Sequence, residues 1–246
     1  RQLASLSYSD SPEIYRALLL LLIEANVDKR SSLIEQFINQ VNEETSKTQL
    51  SMEYYSTLVK VGSTRRGRAF ARRELAEYLG QAEFYFEYLT GLPKTSQMEA
   101  LRMALNYNYK LRLEAVSKLL SLFDSSIDYE KLLQIASTGE ANAEAEATEV
   151  VKGVVGGAWA DRIIALAKQN GETIRKQVDS NHLIKTFRDS DSSWILAGLL
   201  LSLTKVDYSE HCSFVQSCLN HKEGAVRETA LQVFIAYESE RKAICD

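Results

Sequence analysis

The side chains best suited to hold a metal in this 246-residue chain are His211, Cys212, Cys218 and His221. Structural zinc takes thiolates and imidazoles from a few short, regular spacings. The C-x5-C-x2-H run is not one of them, and Cys212 and Cys218 straddle one predicted helix nearly two turns apart. They read as buried structural cysteines. The chain's three cysteines are an odd number and form no CxxC, the pattern of reduced thiols in a cytosolic protein rather than of a disulfide framework. No Walker loop, GxGxxG or G-x-S-x-G elbow is present. Gly153, Gly156 and Gly157 lie in a KGVVGG run that no strand precedes, so it reads as a helix end and loop rather than a phosphate cradle. No catalytic residue, cofactor or metal is expected, and the chain is read as a non-enzyme.

Charge is concentrated at Arg65, Arg66, Arg68, Arg72 and Arg73. On a helix these arginines span an arc of roughly 160° at 100° per residue. One reading is a solvated face neutralised by Glu74, Glu77 and other acids. The other is a face that contacts anions: lipid headgroups, phosphate, nucleotide or nucleic acid. The net charge of −4 gives no global footprint for nucleic acid. Glu140, Glu144, Glu146 and Glu149 read as a solvated helix face. The aromatic run Phe84-Tyr85-Phe86-x-Tyr88 reads either as packing against helices on both sides or as a partner surface. Trp159 and Trp194 sit among apolar residues and are read as packing.

The elements that must position these residues are helical. Ile14, Leu18, Leu21, Leu22 and Ala25 form an amphipathic stripe, as do Val116, Leu119, Leu120 and Phe123, and again Val226, Ala230, Val233, Phe234 and Tyr237. Only two prolines interrupt the chain, and no period-two alternation calls for a sheet. The pattern predicts helices over 12–26, 31–43, 47–61, 65–79, 81–90, 96–107, 110–123, 128–137, 141–155, 158–168, 179–188, 192–205, 209–219 and 224–240. Start signals include Ser11-Pro12-Glu13, a capping box of Ser96 and Glu99, and caps at Asp128 and Asp191. Connections of two to six residues make successive helices antiparallel neighbours. The longest apolar runs, Ala17–Ile23 and Trp194–Leu201, fall short of the roughly 18–20 residues of a membrane span. Because the chain begins at Arg1, it is expected to be part of a longer protein.

An internal repeat is visible. Arg112 with Ala115 and Val116 matches Arg227 with Ala230 and Leu231, and Ala143–Val151 and Trp194–Leu200 fit the frame more loosely. These frames recur about thirty residues apart with one gap of about fifty, the spacing of helix-pair repeats. In such repeats the small residue lets two helices approach, and the arginine bridges to a neighbouring loop. Each pair leaves an apolar face that the next must cover.

The phrases His221-Lys-Glu-Gly-Ala-Val-Arg-Glu-Thr-Ala-Leu231 and Asn108–Leu120 resemble the turn and second helix of a HEAT repeat. The order of blocks in 101–237 resembles the soluble HEAT-repeat region of bacterial ATP/ADP carrier-like membrane proteins: Leu119–Asp124, an Ala/Glu-rich helix at Ala141–Val155, a tryptophan-led helix at Trp194–Leu203 and Val226–Leu231. Glu144 stands where that family has arginine and Lys152 where it often has aspartate, which suggests a swapped ion pair. The resemblance implies an all-α superhelix, a HEAT-like solenoid of antiparallel helix pairs. It would form one domain over 1–246, with divergent repeats in 1–100 and clearer ones in 101–246. Arg112, Ala115, Arg227 and Ala230 would hold the repeat positions. It further implies a cytoplasmic interaction, scaffolding or regulatory module with a protein partner, tethered to the inner membrane through a region outside this chain. Its recognition surface would be lined by the second helices, roughly 110–123, 192–205 and 224–240. The alternative is a nucleic-acid-binding, DNA glycosylase-like HEAT protein. Paired His-Glu motifs of the hydroxylase-type HEAT enzymes are absent, and no residue set supports bilin lyase chemistry.

Overall fold

The computed structural model describes residues 64–168 and 179–245. The helices expected over 12–26, 31–43 and 47–61 lie outside them. Every regular element among the described residues is helical: α1 (Thr64–Gly91), a 3-10 turn (Ser96–Met98), α2 (Glu99–Leu120), α3 (Tyr129–Ala136), α4 (Ala141–Val155), α5 (Gly157–Ala167), α6 (Ser180–Phe187), α7 (Ser193–Leu201), α8 (Lys205–Cys218) and α9 (Gly224–Cys245).

Local chemistry sets most boundaries. Gly91 closes α1 and Pro93 follows two residues later, where a helix cannot continue. Asp128 caps α3 by accepting the Lys131 N–H at 3.1 Å, and Asp179 caps α6 by accepting the His182 N–H at 2.7 Å. Thr204 and Asp207 form a reciprocal capping box at the start of α8. That places the start of α8 four residues ahead of the position expected from apolar spacing. The helix then kinks at His211, whose φ of −121° and ψ of 23° are not helical. Asp191 is not a cap, because Ser192 occupies that position for α7. The expected capping box of Ser96 and Glu99 is replaced by the 3-10 turn.

Two expected hairpins do not form. α1 runs unbroken through Gly80, and α2 runs unbroken through Asn108. Asn108 is tolerated inside the helix because its buried amide donates to the Ala104 carbonyl at 2.9 Å and to the Ser192 hydroxyl at 3.3 Å. As a result the two arginine–alanine frames are not structurally equivalent. Arg112 and Ala115 lie in the interior of α2, whereas Arg227 and Ala230 lie in the first turns of α9.

The chain divides into two compact units, and α1 and α2 each contribute residues to both. Among described residues, one unit comprises 64–79 and 114–168. Here α4 and α5 pack together and α3 packs on both. They bury Ala147 and Val151 of α4 with Ala160, Ile163 and Leu166 of α5. The turn between α4 and α5 is Gly156 alone, at φ 93° and ψ 160°, a conformation essentially confined to glycine. Glu144 pairs with Lys168 across this hairpin at 2.7 Å, while Lys152 pairs with Glu149 on its own helix at 3.2 Å. The ion pair suggested for Glu144 and Lys152 is therefore not made.

The second unit comprises 80–113 and 179–245. In it α7 packs on α6 and α9, and α8 packs on α9. Its core joins Tyr88, Leu101, Leu105, Phe187, Leu199 and Val226 with their apolar neighbours. α7 lies antiparallel to the first half of α2, since Gln97 donates to the Ser202 carbonyl at one end and Asn108 to Ser192 at the other. Gly198 sits at their closest approach, where a Cβ would meet the Leu101 Cα at 2.8 Å and the Leu101 nitrogen at 2.9 Å. Only glycine permits that backbone contact.

Candidate functional site

The contact that requires Gly198 also shapes a concave feature of the second unit. An open groove of about 560 Å³ lies over α7. One wall is α2, through Ala100, Met103, Ala104 and Tyr107, which share one helical face. The other wall is the start of α9, through Ala225 and Thr229. Ala197 and Gly198 of α7 lie between Trp194 at one end and Leu201 at the other. Small side chains thus let three helix backbones come close, and four large apolar ones stand out from them. Trp194 is 69% exposed, Met103 65%, Tyr107 56% and Leu201 46%.

The lining contains no carboxylate, imidazole, thiol, amine or guanidinium. Ser193, Thr229 and Tyr107 supply its hydroxyls, and that of Thr229 is turned back to the Ala225 carbonyl at 2.8 Å. A volume of this size with apolar and aromatic walls is typical of sites that bind by desolvation and shape.

Trp194, read as packing from the sequence, is the most exposed of these residues. Its helix, SWILAGLLL, is apolar on all sides, so no stripe marks which side faces the core. Signals for the groove lay instead in Met103, Tyr107 and Leu111, an apolar row at every fourth position of a helix whose other face is already apolar. The recognition surface expected along 110–123, 192–205 and 224–240 meets the groove in α7 and α9. In α2 the lining lies earlier, at 100–107.

The arginine cluster is dispersed in its bonding. Arg68 donates from Nε and a terminal nitrogen to the Phe123 carbonyl at 3.2 and 3.0 Å. Arg73 pairs with Glu74 at 2.7 Å and lies 5.5 Å from the centre of the Phe70 ring. Arg65 and Arg72 are exposed two turns apart on one side of α1. Arg66 belongs to the same turn of the helix.

At the repeat positions, Arg227 donates to the carbonyls of His221 and Lys222, both at 2.7 Å. It therefore ties down the turn preceding its own helix. Arg112 lies 5.9 Å from the centre of the Tyr85 ring. Ala230 is fully buried and Ala115 half-buried.

The aromatic run serves packing. Tyr88 meets Phe84 and Phe187, each with ring centres 4.9 Å apart, and Phe86 meets Tyr109. The Tyr88 hydroxyl also bonds to His182 Nε2 at 2.8 Å and to the Thr186 hydroxyl. Among the described histidines and cysteines, His211 Nε2 bonds to the Asn181 side chain, and His221 Nδ1 accepts the Glu223 N–H at 3.1 Å. Burial pushes the Cys218 thiol pKa up, which keeps it protonated.

No protein-family model matches this chain, and no curated protein or solved structure matches it. No helix among the described residues is long and apolar enough to cross a membrane.

Proposed function

We propose that this chain is a non-catalytic interaction module that engages a protein partner through the groove between α2, α7 and α9. The observation that carries this reading is the exposure of Trp194, Met103, Tyr107 and Leu201 around one uncharged concavity. Exposed apolar side chains are ordinary when scattered, but a contiguous set of large ones marks a contact surface. Tryptophan and tyrosine are also the residues most often found to anchor such contacts. The test is photo-crosslinking in cells from a benzophenone side chain at position 107, with exposed Glu130 of the other unit as control. Position 107 should yield discrete protein adducts that Met103→Glu abolishes, and position 130 should not. Equal labelling from both positions, or none from 107, would sink the reading.

A second, weaker surface is supported by Arg65 and Arg72, which leave two guanidinium groups exposed on one side of α1. Each charge near an anionic membrane contributes about 1 kcal/mol at most. Co-sedimentation with phosphatidylserine vesicles should therefore be weak, and should be lost in Arg65→Glu/Arg72→Glu and at high salt. Tight duplex-DNA binding at physiological salt would favour the nucleic-acid alternative instead.

A further inference from the structure

Resting on that reading, we propose that the occupant of the groove is an amphipathic helix of a protein partner. Its uncharged ridge would carry apolar anchors at i, i+4 and i+7. Length supports this choice. On α2 Ala100 and Tyr107 lie seven positions apart, and on α7 Trp194 and Leu201 likewise. Each separation is about 10 Å of helix at 1.5 Å per residue, the reach of an i to i+7 ridge.

Charge supports it too. The lining carries no charged side chain, so it matches a neutral ridge and would leave an acidic or basic segment unpaired. Exposed Glu99 and Lys110 on α2 and Arg227 and Glu228 on α9 put charges of both signs on the flanking helices, as suits the mixed polar flanks of such a helix. An extended peptide has no strand to pair with, because the described residues form no sheet edge.

Area argues against a second copy of this chain. The four projecting side chains expose together on the order of 400–500 Å², taking about 150–250 Å² for a large side chain. A stable pairing buries about 800 Å² on each partner. An inserted helix would touch Ala197, Gly198 and both walls as well as the projecting side chains.

Trp194 gives a direct probe once Trp159, the chain's other tryptophan, is replaced by phenylalanine. In the Trp159→Phe protein we would titrate a peptide of about 18 residues, long enough for measurable helicity. It would carry leucine at i, i+4 and i+7 and mixed Lys/Glu elsewhere. Alongside it would run the same peptide with two central residues changed to proline, and a dilution series of the protein alone. The expected result is a saturable blue shift of Trp194 emission with the helical peptide, at least tenfold weaker with the proline peptide. Binding should also weaken at least tenfold in Met103→Glu, an exposed change that leaves the core intact. Equal binding of both peptides would overturn the helical occupant while leaving the groove as a contact surface. A blue shift on concentration alone would identify a second copy and likewise overturn it. No shift from peptide or self-association would overturn both this inference and the reading it rests on.

Discussion

The two units finish their surfaces differently. Among the described residues, the ion pairs Arg73–Glu74, Lys118–Glu114, Lys152–Glu149 and Lys168–Glu144 all belong to the unit of α3, α4 and α5. In the other unit Arg188 pairs loosely with its neighbour Asp189 at 3.8 Å. Exposed large apolar side chains show the reverse distribution. Among the described residues Ile135 is the one such residue in the first unit, whereas Phe84, Met103, Tyr107, Trp194, Leu201 and several more belong to the second. Surface ion pairs add little stability, typically below about 1 kcal/mol each, so their value lies in keeping a helical surface wetted. The first unit shows that this chain can close a helical surface with charge. Against the paired charges described there, the exposed apolar side chains around the groove of the second unit stand out.

If that contrast is correct, stability and recognition should separate within the second unit. The largest effect belongs to its core. Phe187 is 2% exposed and packs against Phe84 and Tyr88, so Phe187→Ala should cost about 3–5 kcal/mol in urea unfolding. A loss below about 1 kcal/mol would mean that this core is not formed as described.

Next comes Gly198→Ala, with a cost of about 1–3 kcal/mol, because a methyl group there meets the backbone of α2 rather than a movable side chain. The same change should move α2 and α7 apart and weaken groove binding. Stability retained together with normal binding would show that the close approach is not what shapes the groove.

A smaller, pH-dependent effect sharpens the account of the first unit. The Tyr129 hydroxyl is buried with no hydrogen-bond partner among the described residues, and burial, with Asp124 nearby, pushes its pKa up to about 12. Its folded pKa lies above the unfolded value of about 10, so its contribution is complete below pH 10 and is lost as pH rises toward 12. Tyr129→Phe should remove this alkaline loss and leave neutral stability unchanged or raised by up to about 1 kcal/mol. A drop of more than about 1 kcal/mol at neutral pH would reveal a hydroxyl partner not seen here.

Much of the helical framework was legible from apolar spacing and caps. Val116, Leu119, Leu120 and Phe123 are buried as their stripe predicts, and Asp128 caps α3. Gly80 and Asn108 misled as breaks, since one glycine costs a long helix only about 1 kcal/mol and the Asn108 amide finds partners two helices can supply. Thr204-Lys-Val-Asp207 was a readable capping box that apolar spacing alone passed over. The groove was the least legible feature. Residues on α7 are nearly all apolar, so exposure of Trp194 follows from which neighbours α2 and α9 supply, a property of tertiary packing.

The most direct test of a surface held open for a partner is the unfolding free energy of Trp194→Ala at neutral pH. A residue 69% exposed that exists for recognition should lose less than about 0.5 kcal/mol when truncated, with an unchanged denaturant slope, while crosslinking from position 107 disappears. A cost above about 2 kcal/mol would place Trp194 in the core and contradict the account.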